Sequence, residues 1–138
     1  MSFATARRDI EGRLKSNWAT TPIAFDNIPY KPRDGVSWVR CQIFEDDVRR
    51  LNIGGPGHHR VIGLIVMSIY VPVNTGTQTA REYGDSLAEI FRDQQFNGIT
   101  CREAVPATIG EVSVKGMESG WYQYDINVRF QWVGIHAI

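Results

Sequence analysis

Apolar residues at the start of the chain recur at intervals of three and four, the spacing of one face of an α-helix. This stripe consists of Phe3, Ala6, Ile10, Leu14 and Trp18. Ser2 is a suitable N-cap, and the helix should end near Asn17, because Thr20, Thr21 and Pro22 favour extended backbone. A second stripe predicts another helix, which we expect to begin at a capping box formed by Thr79 and Glu82. Its apolar members are Ala80, Tyr83, Leu87, Ile90 and Phe91.

Three other runs have the patterns of β-strands. Residues 36–44 alternate between apolar and polar, residues 60–71 are apolar on both faces, and residues 122–132 alternate cleanly. A strand that is apolar on both faces belongs in the middle of the fold, or has one face covered by a partner chain. We also expect an extended edge segment over Thr20–Arg33, and two short strands, Ile99–Arg102 and Ile109–Lys115, separated by Pro106.

The segment between the first two strands, Glu45 to His59, is too long for a tight turn and carries Gly54-Gly55-Pro56-Gly57 at its centre. Apolar residues within it favour an extended hairpin arm with the glycines at its tip. The order helix, strands, helix, strands predicts an α+β fold with a mainly antiparallel β-sheet, two helices on one face and a long β-hairpin arm. A length of 138 residues predicts one domain over 1–138.

Composition narrows the function classes. Fifteen basic and fifteen acidic residues give a net charge of zero, which disfavours the bulk positive field of proteins that bind nucleic acid or anionic membranes. No apolar run approaches the roughly 20 residues of a membrane-spanning helix, and the charged N-terminus predicts no export signal. The first half of the chain has a small net positive charge and the second half an equal net negative charge. This difference could favour head-to-tail assembly of copies, and chance scatter of the charges would produce the same difference.

The motifs offer little chemistry. The glycine-rich loop lacks the Gly-Lys-Ser/Thr of a phosphate loop and leads into a strand. His58 and His59 are adjacent and point to opposite sides of an extended chain, so they cannot grip one metal ion without a kink. We expect Cys41 and Cys101 to be buried in the core as small apolar residues. Because the sequence has only these two cysteines, we expect the protein to reside in a reducing compartment. These observations predict no catalytic residues, no metal site and no cofactor.

A charge cluster, Glu45-Asp46-Asp47 followed by Arg49 and Arg50, occupies the predicted arm. Carboxylates in a row can serve as an acid/base site or bind a hard cation. A solvated arm or a salt-bridging contact between subunits accounts for the same residues with fewer assumptions.

Short structural motifs in a fixed order carry a family resemblance over nearly the whole chain. They are Asn17-Trp18-Ala19-Thr20-Thr21-Pro22-Ile23-Ala24-Phe25-Asp26-Asn27, Gly35-Val36-Ser37-Trp38-Val39-Arg40, Gly63 to Val71, Asn74-Thr75-Gly76, Leu87-Ala88-Glu89-Ile90-Phe91, Phe96-Asn97-Gly98-Ile99 and Ser119-Gly120-Trp121-Tyr122-Gln123. In this order they resemble the tail terminator, or tail completion, proteins of long-tailed bacteriophages.

The resemblance implies a structural virion protein without catalytic activity. It implies a ring of six copies that caps the tail tube, stops its polymerisation and offers a surface to the head-completion or stopper protein. The protein would be made in the bacterial host cytoplasm and reside at the head-proximal end of the tail, with no membrane partner and no recognition of nucleic-acid sequence. We take the charged arm residues as candidate contacts with other subunits or the tail tube: Glu45, Asp46, Asp47, Arg49, Arg50, His58, His59 and Arg60. The alternatives are another neck, stopper or tail component, or a small α+β ligand-binding or enzymatic domain.

Overall fold

A computed structural model of the protein describes residues 1–54, 57–113 and 120–136. The elements within these residues are α1 (Phe3–Asn17), β1 (Ile23–Phe25), β2 (Trp38–Arg50), β3 (Gly57–Pro72), α2 (Gln78–Phe91), β4 (Gln95–Phe96), β5 (Ile99–Val112) and β6 (Trp121–His136). The six strands form one sheet in the order β1-β2-β3-β6-β5-β4, in which only β1 and β2 are parallel neighbours. This confirms the α+β fold with a mainly antiparallel sheet.

Apart from Phe3, which is 46% exposed, the apolar stripes of both helices pack into one core on the same side of the sheet. In α1, Ala6, Ile10 and Leu14 are almost inaccessible to solvent, and Ser2 caps the helix through a reciprocal capping box with Thr5. The predicted start of α2 is wrong by two residues. The helix begins at Gln78, so Thr79 already lies inside the first turn and cannot be the N-cap. The N-cap is Thr77, which makes no side-chain capping bond.

β3 lies between β2 and β6, as its two apolar faces predict. From Val61 to Val71 its odd-numbered side chains face the helices and are fully buried, notably Val61, Ile65 and Met67. The even-numbered Ile62, Leu64 and Val66 point to the other side and are only half-buried. We call this other side of the sheet the open face.

Among the described residues, a second apolar cluster, rich in aromatic rings, covers one end of the open face. Trp38 stacks on Tyr70 with ring centroids 4.1 Å apart, and Trp121 meets Trp38 edge-on at 6.2 Å. Tyr30, from the extended segment that follows β1, packs on Trp38 at 5.3 Å. The predicted edge segment is therefore confirmed: Ile23–Phe25 is the edge strand, and the residues after it fold over the sheet.

The prediction of two short strands around Pro106 is wrong, because β5 is continuous from Ile99 to Val112. Pro106 pairs with Ile126 of β6 on its inner side, while β4 covers only Ile99 and Thr100 on the outer side. A proline is tolerated there because its missing N–H would face an unpaired sheet edge. Lys115, the predicted end of the second short strand, lies outside the described residues.

The arm exists, but β6 broadens it. β2 and β3 stay paired as far as Arg50 and His59, with an irregularity between Glu45 and Asp47. β6 runs beside β3 up to the pair Gly57 and His136. The predicted hairpin of β2 and β3 is therefore confirmed, and β6, which is as long as β3, adds a third strand beside it.

Candidate functional site

The bulge between Glu45 and Asp47 decides which face each charged arm residue occupies. Before it, Glu45 lies opposite Gly63 on the helix side of the sheet. After it, Asp47 lies opposite Ile62, and Arg49 lies opposite Arg60. Because directly opposed residues share a face, Asp47, Arg49 and Arg60 belong to the open face while Glu45 does not.

The acidic residues of the arm make local ion pairs on the surface. Asp47 accepts a hydrogen bond from the Arg49 Nε at 2.7 Å, and Asp46, at the bulge, lies 3.7 Å from a guanidinium nitrogen of Arg129 on β6. All four side chains are well exposed, so each pair contributes at most about 1 kcal/mol of stability. The arrangement is that of a solvated, charged surface.

Arg50 and His58 belong to the hydrogen-bonded tip. The Arg50 guanidinium donates to the backbone oxygens of Asn52 at 2.7 Å and Gly54 at 3.2 Å. The His58 N–H donates to the Asn52 side-chain oxygen at 2.7 Å, and its carbonyl accepts from the Leu51 N–H at 2.7 Å. These bonds hold the described residues of the tip together.

His59 is half-buried and lies next to Gly57. A Cβ built at Gly57 would come within 2.9 Å of the His59 ring and 3.2 Å of the Arg50 guanidinium. The arm thus brings Arg50 and His59 together on the helix side, and Arg49 and Arg60 together on the open face.

The arm also carries exposed apolar side chains, which were not predicted from the sequence to be contact residues. Ile53 is fully exposed at the tip, and Val48 and Leu51 are about half-exposed nearby. The sequence signal was present, but apolar residues in the arm were interpreted only as strand character. On the open face, half-exposed Phe44, Val105 and Val133 lie around the half-buried Ile62, Leu64 and Val66 of β3.

An aromatic groove of about 660 Å³ lies between the segment after β1 and the covered end of the open face. Arg40 sits over the rings of Trp38 and Tyr70, at 5.6 and 5.9 Å from their centroids. Burial raises the pKa of Tyr70, although the charge of Arg40 opposes the shift, so this phenol is neutral at physiological pH. The groove therefore presents aromatic rings together with the Arg40 guanidinium and the Asp26 carboxylate.

The two thiols are poor nucleophiles. Burial, together with the charges of Glu11 and Asp26, raises the pKa of Cys41 to about 12. Burial raises the pKa of Cys101 to about 11 against the opposing charge of Arg13. Thiolate is the reactive form, and both groups are protonated near neutral pH. Among the residues that the structure describes, no three His, Cys, Asp or Glu side chains are grouped to hold a metal ion, and no helix there could span a membrane.

A family model described as phage tail terminator protein matches residues 7–132 of this chain. The match covers nearly the whole chain, which therefore belongs to the phage tail terminator family. It is accordingly a structural protein of a phage tail.

No curated protein matches the chain. Nine chains of solved structures do. One of them aligns over 96% of this chain and 96% of its own length, with a TM-score of 0.67 and 16% sequence identity. At that identity the likeness bears on the fold alone.

Proposed function

We propose that the chain forms a ring of six copies that seats on the head-proximal end of the tail tube, stops tube polymerisation and presents a surface to the head-completion protein. The observation that carries this proposal is the family match over residues 7–132. Its partners are then further copies of itself, the major tail tube protein and the head-completion or stopper protein. It is made in the cytoplasm of the bacterial host and incorporated into the virion.

The arm, from Glu45 to Arg60, makes contacts with other subunits and with the tube, and we assign the tube contact to its tip around Ile53. The fully exposed Ile53 at its tip supports this assignment, because a large aliphatic side chain in water gains free energy when a partner buries it. The hydrogen bonds of Arg50 and His58 hold the described tip residues in one shape, which lowers the entropy lost on binding. The charged residues around the tip provide a polar rim, as is usual at protein interfaces.

A phage that lacks the gene for this chain tests the capping function. We expect overlong tail tubes and heads without tails by electron microscopy, and normal particles when the wild-type chain is supplied from a plasmid. Tubes of normal length joined to heads in the absence of the chain would contradict the proposal. Light scattering over a concentration series of the purified protein should show a molar mass that rises toward six subunits.

Substitution Ile53→Asp tests the arm. We expect this variant to fold normally and to leave tubes overlong, because a carboxylate cannot enter an apolar contact. Ile28→Asp is the matched control, since Ile28 is also well exposed but follows β1 at the opposite end of the sheet. Equal complementation by both variants would remove the arm tip from the tube contact.

A further inference from the structure

The open face near the arm combines an apolar strip with clustered arginines. Phe44 is 49% exposed and Val133 48% exposed beside the half-buried Ile62 and Leu64. Arg49, Arg60 and Arg129 lie among them on the same face. A half-apolar sheet face of this kind is typical of a surface that a partner covers.

Arg49 and Arg60 are direct cross-strand neighbours, an arrangement that destabilises an isolated subunit because like charges repel. Asp47 pairs with Arg49, and Asp46 pairs with Arg129. Arg60 has no ion pair within the described part of the chain. A carboxylate from outside the subunit would offset this cost, so the charge pattern points to an acidic partner.

The acidic surface that fits lies on α2. Its exposed residues Glu82, Asp85 and Glu89 are spaced by three and four, so they form one stripe along the outer side of the helix. At 1.5 Å of rise per residue the stripe is about 10 Å long. The exposed side of α1 carries Arg7, Arg8 and Lys15, and its carboxylates Glu11 and Asp9 already pair with Arg7 and Arg8. The helix α1 is therefore a weaker partner for the arginines of the open face.

Pairing through strand edges is a weaker route to assembly for this sheet. The outer edge of β5 carries Pro106 and register irregularities on both sides of it, and β2 carries the bulge after Glu45. Prolines and bulges are devices that blunt edges against further strand pairing. The faces are therefore better suited than the edges to bind a neighbour.

We propose that the open face of one subunit packs against α2 of the next copy, with Arg49 and Arg60 bound to the stripe of Glu82, Asp85 and Glu89. The two surfaces lie on opposite sides of the sheet, so the contact is head-to-tail and can close into a ring. This inference rests on the proposed function, since it names the partner that covers the open face within the terminator ring.

Two complementary charge-reversal variants test the pairing. Variant A carries Arg49→Glu and Arg60→Glu, and variant B carries Glu82→Lys, Asp85→Lys and Glu89→Lys. Each alone places like charges across every interface of a ring. A mixture of A and B restores opposite charges at every interface, but only in a ring in which the two variants alternate.

We expect neither variant alone to complement the phage that lacks the gene, and we expect co-expression of both to raise the phage titre at least 100-fold above either. Light scattering of purified A and B should give monomers separately and a larger species in an equimolar mixture. Thermal unfolding of each variant checks the fold. The matched control is Arg8→Glu with Lys15→Glu on α1, which changes the charge as much as variant A and should complement fully.

Complementation by A alone or B alone, or a mixture no better than its components, would overturn the pairing. Neither result touches the capping function, which stands or falls on tube length in the phage that lacks the gene. If that phage builds normal tails without the chain, the proposed function itself fails, whatever the variants do.

Discussion

Gly63, in the middle of β3, is the position where an added methyl group should damage the fold most clearly. A Cβ built there lies 2.5 Å from Cζ and 2.7 Å from Cε1 of the Phe130 ring, and it also collides with the backbone carbonyl oxygen of Phe44. Ordinary contact begins near 3.4 Å, so the Phe130 ring would have to move by almost 1 Å. Phe130 is 1% exposed within the main core and has little room to do so.

The size of the effect follows from these two contacts. Overpacking a well-packed core typically costs 1–3 kcal/mol, roughly. The collision with Phe44 involves backbone next to the bulge, which no side-chain rotation can relieve, so Gly63→Ala should lie at the upper end, at about 3 kcal/mol. A loss of about 3 kcal/mol is a large part of the roughly 5–15 kcal/mol by which such a domain is typically stable. We expect this loss to lower the melting temperature by roughly 10 °C.

Urea unfolding followed by tryptophan fluorescence measures this difference. Gly12→Ala is the matched control, because a Cβ built at Gly12 in α1 has no atom within 4 Å. That variant should gain about 0.5–1 kcal/mol from helix propensity. Surface substitutions usually change the free energy of unfolding by at most about 0.5 kcal/mol. If the free energy of unfolding of Gly63→Ala differs from the wild-type value by no more than that, the argument from tight packing around this glycine is refuted.

Further predictions concern the thiols, a helix connection and a helix cap. Burial raises the pKa of Cys41 to about 12 from an ordinary value of 9.0, so above pH 9 the unfolded chain loses this proton first. Stability should fall as pH rises from 9 to 12, by up to about 1.4 kcal/mol per pH unit for this thiol, and less steeply in Cys41→Ala. Arg13 donates to the Ile90 carbonyl at 2.8 Å and lies over the Phe96 ring, so Arg13→Met should cost about 1–2 kcal/mol by urea unfolding. Ser2→Ala should cost about 1 kcal/mol by the same measurement through loss of the capping box.

Each of these predictions has a clear contrary result. An equally steep alkaline loss of stability in Cys41→Ala would assign the effect to other groups. Unchanged unfolding of Arg13→Met would mean that solvent replaces its contacts at no cost. Unchanged unfolding of Ser2→Ala would mean that the first turn of α1 frays in the wild type.

Local pattern was sufficient for several elements of this fold. The apolar stripes at spacings of three and four located both helices, because the periodicity of a helix can be recognised within a short stretch of the chain. Alternation located β2 and β6, and the two apolar faces of β3 placed it in the middle of the sheet. The arm between β2 and β3 followed from the same patterns and its glycines.

Other features depended on which strand lies beside which. Pro106 was predicted to interrupt β5, yet the strand continues because the neighbouring edge is unpaired there. The arm is the predicted hairpin, but its sequence did not indicate that β6 accompanies it to Gly57. These outcomes depend on long-range pairing, which no short stretch of sequence encodes.

The candidate interface divides in the same way. The family, the arm and the charged residues within it could be predicted from the sequence, because these depend on residue identity and order. The face that each charged residue occupies could not, because it depends on how the strands pair. Plain alternation would put Glu45, Asp47 and Arg49 on one side of β2, but the bulge places Glu45 on the helix side and the other two on the open face. One extra residue in a strand exchanges the two faces for everything beyond it, and where that residue is accommodated is set by packing against the neighbouring strand.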